Sequence, residues 1–547
     1  MTLPISWRRV AILPAAAFVV AVATGPAVGA AQGAAQGHRV FGDMDSVDTV
    51  MVDSEEMVDQ VWTSAFPASV ANKVDRNGSL LRVIKTDPLP LGGAGGGLQR
   101  VALDGTVLWD FRYDSGGVLS HHDITELPNG NVLMIAWEEK TEAEAIQAGR
   151  NPARVSGTFR PEHVIEVRQT GLTTGEIVWE WHLWDHLIQD FDPARDNFGV
   201  VADHPELVDI NYPDATPFLG DWVHMNGIDY DPVYDRIILS ADRQSEIWVI
   251  DHSTTTEEAA GHTGGRWGRG GDILYRWGNP EAYRAGGPGD RVFRTQHSPR
   301  VIEPGYPGEG NYLVFLNNEP GQFGRSAVYE LVPPLDANGA FILDPSGRYG
   351  PEGPVWSHSE PGFYSPIVSS VERLRNGNTL ICSGTQARVF EVDAAGQTVW
   401  DYDLGFGSVF NAHYVERWLW ADRLTLSTGD GGRVEFDLLA GSEHGGMDYF
   451  LLASRSGTEP GVEIGDVTLP LNPDALTELA RQNPNSEIFV DSLGALDSLG
   501  RAEASFDLPA GSPLEPGDTV HFAYLVADPG SGEIVFASDP VAVSVTE

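Results

Sequence analysis

The 547-residue chain holds a single cysteine, Cys382, so no intrachain disulfide exists and a disulfide-stapled scaffold is excluded. Basic residues are scarce as well. Lys and Arg number 35 against 78 Asp and Glu, for a formal net charge of -43. Such a surface repels phosphate backbones and anionic lipid, so no nucleic acid is expected as a partner. The charge itself reads as a device for solubility, suited to a salty environment. Long apolar runs are confined to the start, where Arg8 and Arg9 lead into "VAILPAAAFVVAVATG" and then the small residues of "AVGAAQ". That run is short and broken by proline, which fits a signal peptide over 1–30, cleaved after about Ala30, better than a membrane anchor. The expectation is an exported protein, periplasmic or extracellular, with no membrane span after signal cleavage.

What the chain has in quantity is turns and tryptophan. Gly 62 and Pro 36 supply the breaks of an all-β protein with short strands. An alternating strand ending in Trp recurs as "QVWTSA", "TVLWDF", "EIVWEW", "ILYRWG", "GPVWSH" and "QTVWDY", placing Trp62, Trp109, Trp179, Trp277, Trp356 and Trp400. Turns containing Asn-Gly or Gly-Asn open apolar strands in "LPNGNVLMIAW", "GEGNYLVFLNN" and "LRNGNTLICSG". A third strand type follows in "HVIEVRQ", "SEIWVID", "SAVYELV" and "ARVFEVD". Strand, turn, strand, strand, turn, Trp-strand is the four-stranded antiparallel blade of a β-propeller, and six Trp-strands predict six blades over 38–418. Beyond about residue 420 the strands keep their period of two but lose the Trp. A C-terminal β-sandwich accessory domain is expected over 421–547, with one helical stretch, "NPDALTELARQ".

Twelve of the 15 histidines fall between residues 121 and 413, several at one phase of the repeat, in the strand after each Trp-strand. They are His121 and His122 in "LSHHDITELPNG", His224 in "DWVHMNGIDYDP", His297 in "RTQHSPR" and His413 in "FNAHYVERW". Tyr364 and Ser365 stand at that phase after Trp356. The strand entering a new blade is the innermost, so these side chains are expected to converge on one mouth of the central channel, with Asn226 beside His224. Trapped water and backbone bonding would explain polar inner strands equally simply; a concave mouth favours a binding pocket. His182 and His186, in "VWEWHLWDHLIQD", could cap that mouth or simply pack a loop.

The motifs "HHDITELPNGNVLMIAWE", "WEWHLWDHLIQD", "DWVHMNGIDYDP", "IILSADRQSEIWVIDHSTTTEEAAGHTGG", "TQHSPR" and "NGNTLICSG" resemble the bacterial arylsulfotransferases over roughly residues 60 to 415. The resemblance implies an exported six-bladed propeller that moves a sulfuryl group from an aryl sulfate donor to a phenolic acceptor, without a nucleotide sulfate donor, a cofactor or a metal. It implies a ping-pong reaction through a sulfohistidine. By motif, His224 and His297 match histidines that contact the sulfuryl group or leaving oxygen, and Arg325 matches a sulfate-binding arginine. The family's nucleophilic histidine precedes an "xFEV"-like strand, and here that position is Arg388, in "CSGTQARVFEVD". A guanidinium stays protonated and cannot attack. His413 or His122 then becomes the candidate nucleophile, unless transfer is direct, and Arg388 a candidate anion clamp. Two other readings stay open: a non-catalytic propeller binding sulfated or phenolic ligands, and a metal held by channel histidines.

Overall fold

The computed structural model describes residues 33–546 apart from 36, 68–69, 76–77, 87–88, 417, 430, 442–443, 466, 499 and 513. The expected signal peptide lies outside the described residues. The described chain divides into two compact units, Gly33–Val415 and Glu416–Glu547.

The first unit is built from six four-stranded antiparallel sheets, the blades of a propeller. Blades two to six each take consecutive strands, with inner strands Asn72–Val74, Val118–Glu126, Met225–Asp231, Gln296–Val301 and Ser370–Arg373. Blade one is closed from both ends of the unit: Val409–Val415 is its inner strand and pairs with His38–Asp43, Val40 opposite His413. Closure of this kind ties the first strands of the unit to its last, while each blade keeps its own short edges.

The six repeating tryptophans occupy the outermost strand of each blade, and their indoles link neighbours. Trp62 Nε1 donates to Ala102 O, Trp109 to Thr174 O, Trp179 to Thr254 Oγ1, Trp277 to Pro351 O and Trp356 to Ala394 O, at 2.7–3.1 Å. Each acceptor lies between the third and fourth strands of the following blade. A buried indole N–H needs such a partner, so the repeat encodes the joint between blades as well as the blade. Trp400 departs from this pattern, since its Nε1 finds no such acceptor on blade one. It lies instead under the Arg39 guanidinium of blade one, 4.7 Å from ring centroid to Cζ, while Arg39 pairs with Glu391 at 2.6 Å.

In the second unit, two sheets share one core. Phe436 and Phe506 of one sheet pack on Phe522 of the other, with ring centroids 4.7 and 5.1 Å apart. The helical stretch forms Ala475–Gln482, capped by Asp474. Among the described residues no helix is long and apolar enough to cross a membrane.

Candidate active site

The inner strands are not regular where they begin. Pairing slips between Ser120 and Ile124, between Met225 and Gly227, and between His297 and Arg300. Beside these slips stand residues in the left-handed region: His122 (φ 53°), His224 (φ 56°) and Ser298 (φ 51°). Non-glycine residues enter that region seldom, and a bulge re-aims the side chain it carries. Three blades thereby turn a histidine to one place. The His122 and His224 rings meet edge to face at 4.6 Å, and Phe410 of blade one lies 6.0 Å from His122 and 6.4 Å from His297.

Second partners fix each imidazole. His297 Nδ1 is 2.7 Å from Asn317 Oδ1, while Asn317 Nδ2 donates to the Ser365 and Val368 carbonyls at 2.8 and 2.9 Å. Both amide hydrogens are thus engaged by carbonyls, so Oδ1 faces the ring and accepts. His297 therefore carries its proton on Nδ1, and its Nε2 bears the lone pair. Burial pushes its pKa down to about 3, and the neighbouring His224 charge acts in the same direction. This ring is neutral at any ordinary pH.

His224 is held the opposite way. Its Nδ1 lies 2.7 Å from Asp221 Oδ2, and Arg243 Nη2 reaches the same oxygen at 2.9 Å. Burial opposes the charged ring, but the Asp221 carboxylate outweighs it, with Asp242 beyond, and the pKa of His224 is raised. His224 is also the most open of the three, with 18% of its side chain exposed. Arg243 keeps a third of its side chain exposed beside it.

His122 is the most enclosed. Its Nδ1 meets His121 Nδ1 at 2.8 Å, and His121 Nε2 meets Glu162 Oε2 at 2.7 Å, both side chains fully buried. Burial first, then the neighbouring histidines, holds His122 well below its ordinary pKa. The tip of its ring lies on Gly93 of the loop "LGGAGGG", where a Cβ would come within 2.0 Å of Nε2 at a φ of +76°. Only glycine fits there. Nε2 of His122 is thereby packed against the Gly93 backbone.

Three expected site residues are placed elsewhere. His413 bonds Glu372 at 3.2 Å. It belongs to a second set of residues further along the inner strands, one from each blade: Lys73, Asp123, Asp229, Arg300, Glu372 and His413. Lys73 pairs with Asp123 at 3.1 Å, and Arg300 reaches Asp123 at 3.7 Å and Asp229 at 3.6 Å. At the phase expected for His413, blade one presents Phe410. Arg388 stands on a third strand, away from the channel. It forms a two-pronged pair with Asp401 at 2.8 and 2.7 Å and a further bond to Glu360 at 3.0 Å, so its donors are already committed. Asn226 spends its amide on the Gln296 carbonyl at 2.8 Å, joining blade four to blade five.

Arg325 and Tyr364 border the cluster. Arg325 lies in the loop that begins at Asn317, its Nε 3.9 Å from Glu319. Tyr364 is half-buried in the loop whose Ser365 and Val368 carbonyls hold Asn317. His182 stacks on His163 at 5.1 Å, and His186 packs against Trp181 and the loop of the next blade. The residues that sequence reasoning passes over are Asp221, Arg243, Asn317 and Glu162, whereas His121 is expected at the channel. Arg243 sits inside the quoted "SADRQSE"; the other three become visible only through their contacts. The channel histidines form no three-ligand metal grouping among the described residues.

The first unit is thus a propeller whose inner strands carry a neutral imidazole, His297, and an imidazole of raised pKa, His224, with Arg243 beside the latter. Residues 73–329 match the family model described as arylsulfotransferase (ASST). The arylsulfate sulfotransferase AssT of Escherichia coli O6:H1 is 25% identical over 329 residues, 53% of this chain and 49% of the relative. AssT of Lelliottia amnigena is 25% identical over 321 residues, with coverage of 53% and 49%. The chain thus spans about half the length of the curated relatives it matches. A protein of unknown function from Bacteroides caccae has 12% identity and a TM-score of 0.38, covering 70% of this chain and 99% of that one. A streptogramin B lyase has 8% identity and a TM-score of 0.33, covering 68% and 81%. Residues 73–329, just under half of the chain, are thus similar to the arylsulfotransferase family.

Proposed function

We propose that the protein is an exported enzyme that transfers a sulfuryl group from an aryl sulfate to a phenol, with His297 as nucleophile and His224 as acid and base. The observation that carries this is the contrasting state of two imidazoles from neighbouring blades: His297 neutral with its lone pair on Nε2, His224 biased toward its cation by Asp221. Paired groups driven apart in pKa are the usual mark of divided acid and nucleophile roles. In the first half, His297 Nε2 attacks sulfur. The N–S bond forms as the aryl O–S bond breaks, and the departing phenolate takes the proton from His224 Nε2. In the second half, neutral His224 removes the acceptor's phenolic proton, the new oxygen bonds sulfur, and His297 leaves with its electron pair. Atoms and charge balance, and His224 ends protonated as it began.

Arg243, beside His224, supplies fixed positive charge for the sulfuryl oxygens, as a partly dry site requires. The burial of the cluster also limits attack by water on the sulfohistidine. The relocated nucleophile accounts for Arg388 at the family's position: with its guanidinium tied to Asp401 and Glu360, that residue takes no part. Release of a chromogenic phenol from its sulfate, dependent on an added phenol acceptor, is the test. Transfer that disappears in His297→Ala and His224→Ala, both folded by circular dichroism, is the expected result. An inactive parent with every donor and acceptor pair would leave a ligand-binding propeller in its place.

A further inference from the structure

We propose that the protein carries a divalent transition-metal site, separate from the channel, held by His186, His262 and Asp272. These lie on connections of blades three and four. His186 follows the outer strand Gly175–His182, while His262 and Asp272 belong to the long connection between Glu246–Asp251 and Tyr275–Trp277. One ligand atom from each falls within 4.8 Å of the other two.

The hydrogen bonding of His186 gives the independent reason. Its ring is fully buried and stacked on Trp181 at 5.7 Å with an interplanar angle of 6°. Gly271 sits so close that a Cβ would lie 2.7 Å from Nε2, and Trp181 Nε1 donates to the Gly271 carbonyl at 2.7 Å. The ring therefore cannot turn. Its Nε2 is 2.9 Å from the Ala259 carbonyl, which can only accept, so Nε2 carries the proton. Nδ1, on the other side of the ring, faces Asp272 Oδ1 at 2.9 Å. His262 Nδ1 approaches the same oxygen at 2.7 Å.

His186 Nδ1 and His262 Nδ1 thus converge on Asp272 Oδ1, and a cation among the three would take one bond from each. An imidazole that donates one N–H to a carbonyl while presenting the other nitrogen is the outer-shell arrangement of metal-bound histidine. Two imidazoles and one carboxylate suit zinc and its first-row neighbours, with the open position left to water or a small ligand. Access exists: His262 is 59% exposed and lines a cavity of about 440 Å³ shared with His204 and Trp184. Bound metal would staple the connection of blade four to the end of blade three.

The test uses the full chain and zinc alone. After loading and dialysis, elemental analysis is expected to find one zinc per chain, and cobalt(II) in its place to give the visible bands of a low-coordinate nitrogen and oxygen site. His262→Ala, an exposed position whose loss spares the fold, is expected to weaken zinc binding at least tenfold and abolish the rise in thermal midpoint that zinc gives the parent. Asp272→Asn should behave alike. Less than stoichiometric zinc in the parent, or equal affinity in His262→Ala, would overturn the proposal and leave His186 a buried imidazolium paired with Asp272.

Discussion

Asn317→Ala removes the residue that dictates which nitrogen of His297 bears the proton. Three hydrogen bonds go with it: Oδ1 to His297 Nδ1 at 2.7 Å, and Nδ2 to the carbonyls of Ser365 and Val368 at 2.8 and 2.9 Å. The loss leaves one ring N–H and the Val368 carbonyl without these partners, and the Ser365 carbonyl with only the Ser326 hydroxyl at 3.3 Å. At about 1 kcal/mol for each lost bond, the fold should lose roughly 3 kcal/mol. The effect on chemistry is separable from that. With Nδ1 unsatisfied, the proton can move to Nε2 and the ring can swing, so the attacking lone pair is no longer held in place. One orienting hydrogen bond of about 1.4–2.7 kcal/mol corresponds to a fall of roughly 10–100-fold in turnover. The assay follows phenolate release from a nitrophenyl sulfate with saturating phenol acceptor, below the melting temperature of the variant. The fall should appear in kcat with KM little changed, because the interaction acts on the attacking atom and not on ground-state binding. A folded variant whose kcat stays within about twofold of the parent would refute the role given to His297.

Three further outcomes are expected. Asp221→Asn removes the carboxylate that raises His224, so the decline of donor kcat/KM toward alkaline pH should shift to lower pH; since the acid form of His224 is required, an unmoved limb assigns the acid elsewhere. Gly93→Ala places a Cβ on the His122 ring at positive φ, adding about 1–3 kcal/mol of backbone strain before any clash, and a thermal melt should show the loss. Arg388→Ala should leave turnover unchanged in the same phenolate assay and cost less than about 1 kcal/mol in denaturant unfolding, because its pairs with Asp401 and Glu360 are surface pairs.

The blades were legible because their signals are local. Alternation, Gly-bearing turns and a Trp at a fixed place each describe a dozen residues, and the six indoles do mark six outer strands. Closure was not legible, since Val409–Val415 and His38–Asp43 are separated by the whole unit and neither strand's pattern names its partner. Within the site, the inner-strand phase located His122, His224 and His297. It misplaced His413 because the inner strand of blade one slips register between Val409 and Ala412, and such a slip exchanges the face a side chain occupies. The states of the imidazoles were beyond the reach of pattern altogether. They depend on Asp221, Asn317 and Glu162, ordinary polar residues whose importance lies in what they touch. Arg388 shows the same limit from the other side: its motif position suggested a site, while its contacts commit it to Asp401 and Glu360.

The claim that His297 attacks sulfur is tested most directly by trapping the covalent state. The protein is mixed with an aryl sulfate in the absence of acceptor, quenched at alkaline pH to preserve an N–S bond, digested, and the peptides weighed. A sulfuryl adduct on the peptide that carries His297, discharged by a chase of phenol and missing in His297→Ala, is the expected result. An adduct on another histidine, or steady transfer with no adduct on any peptide, would contradict it.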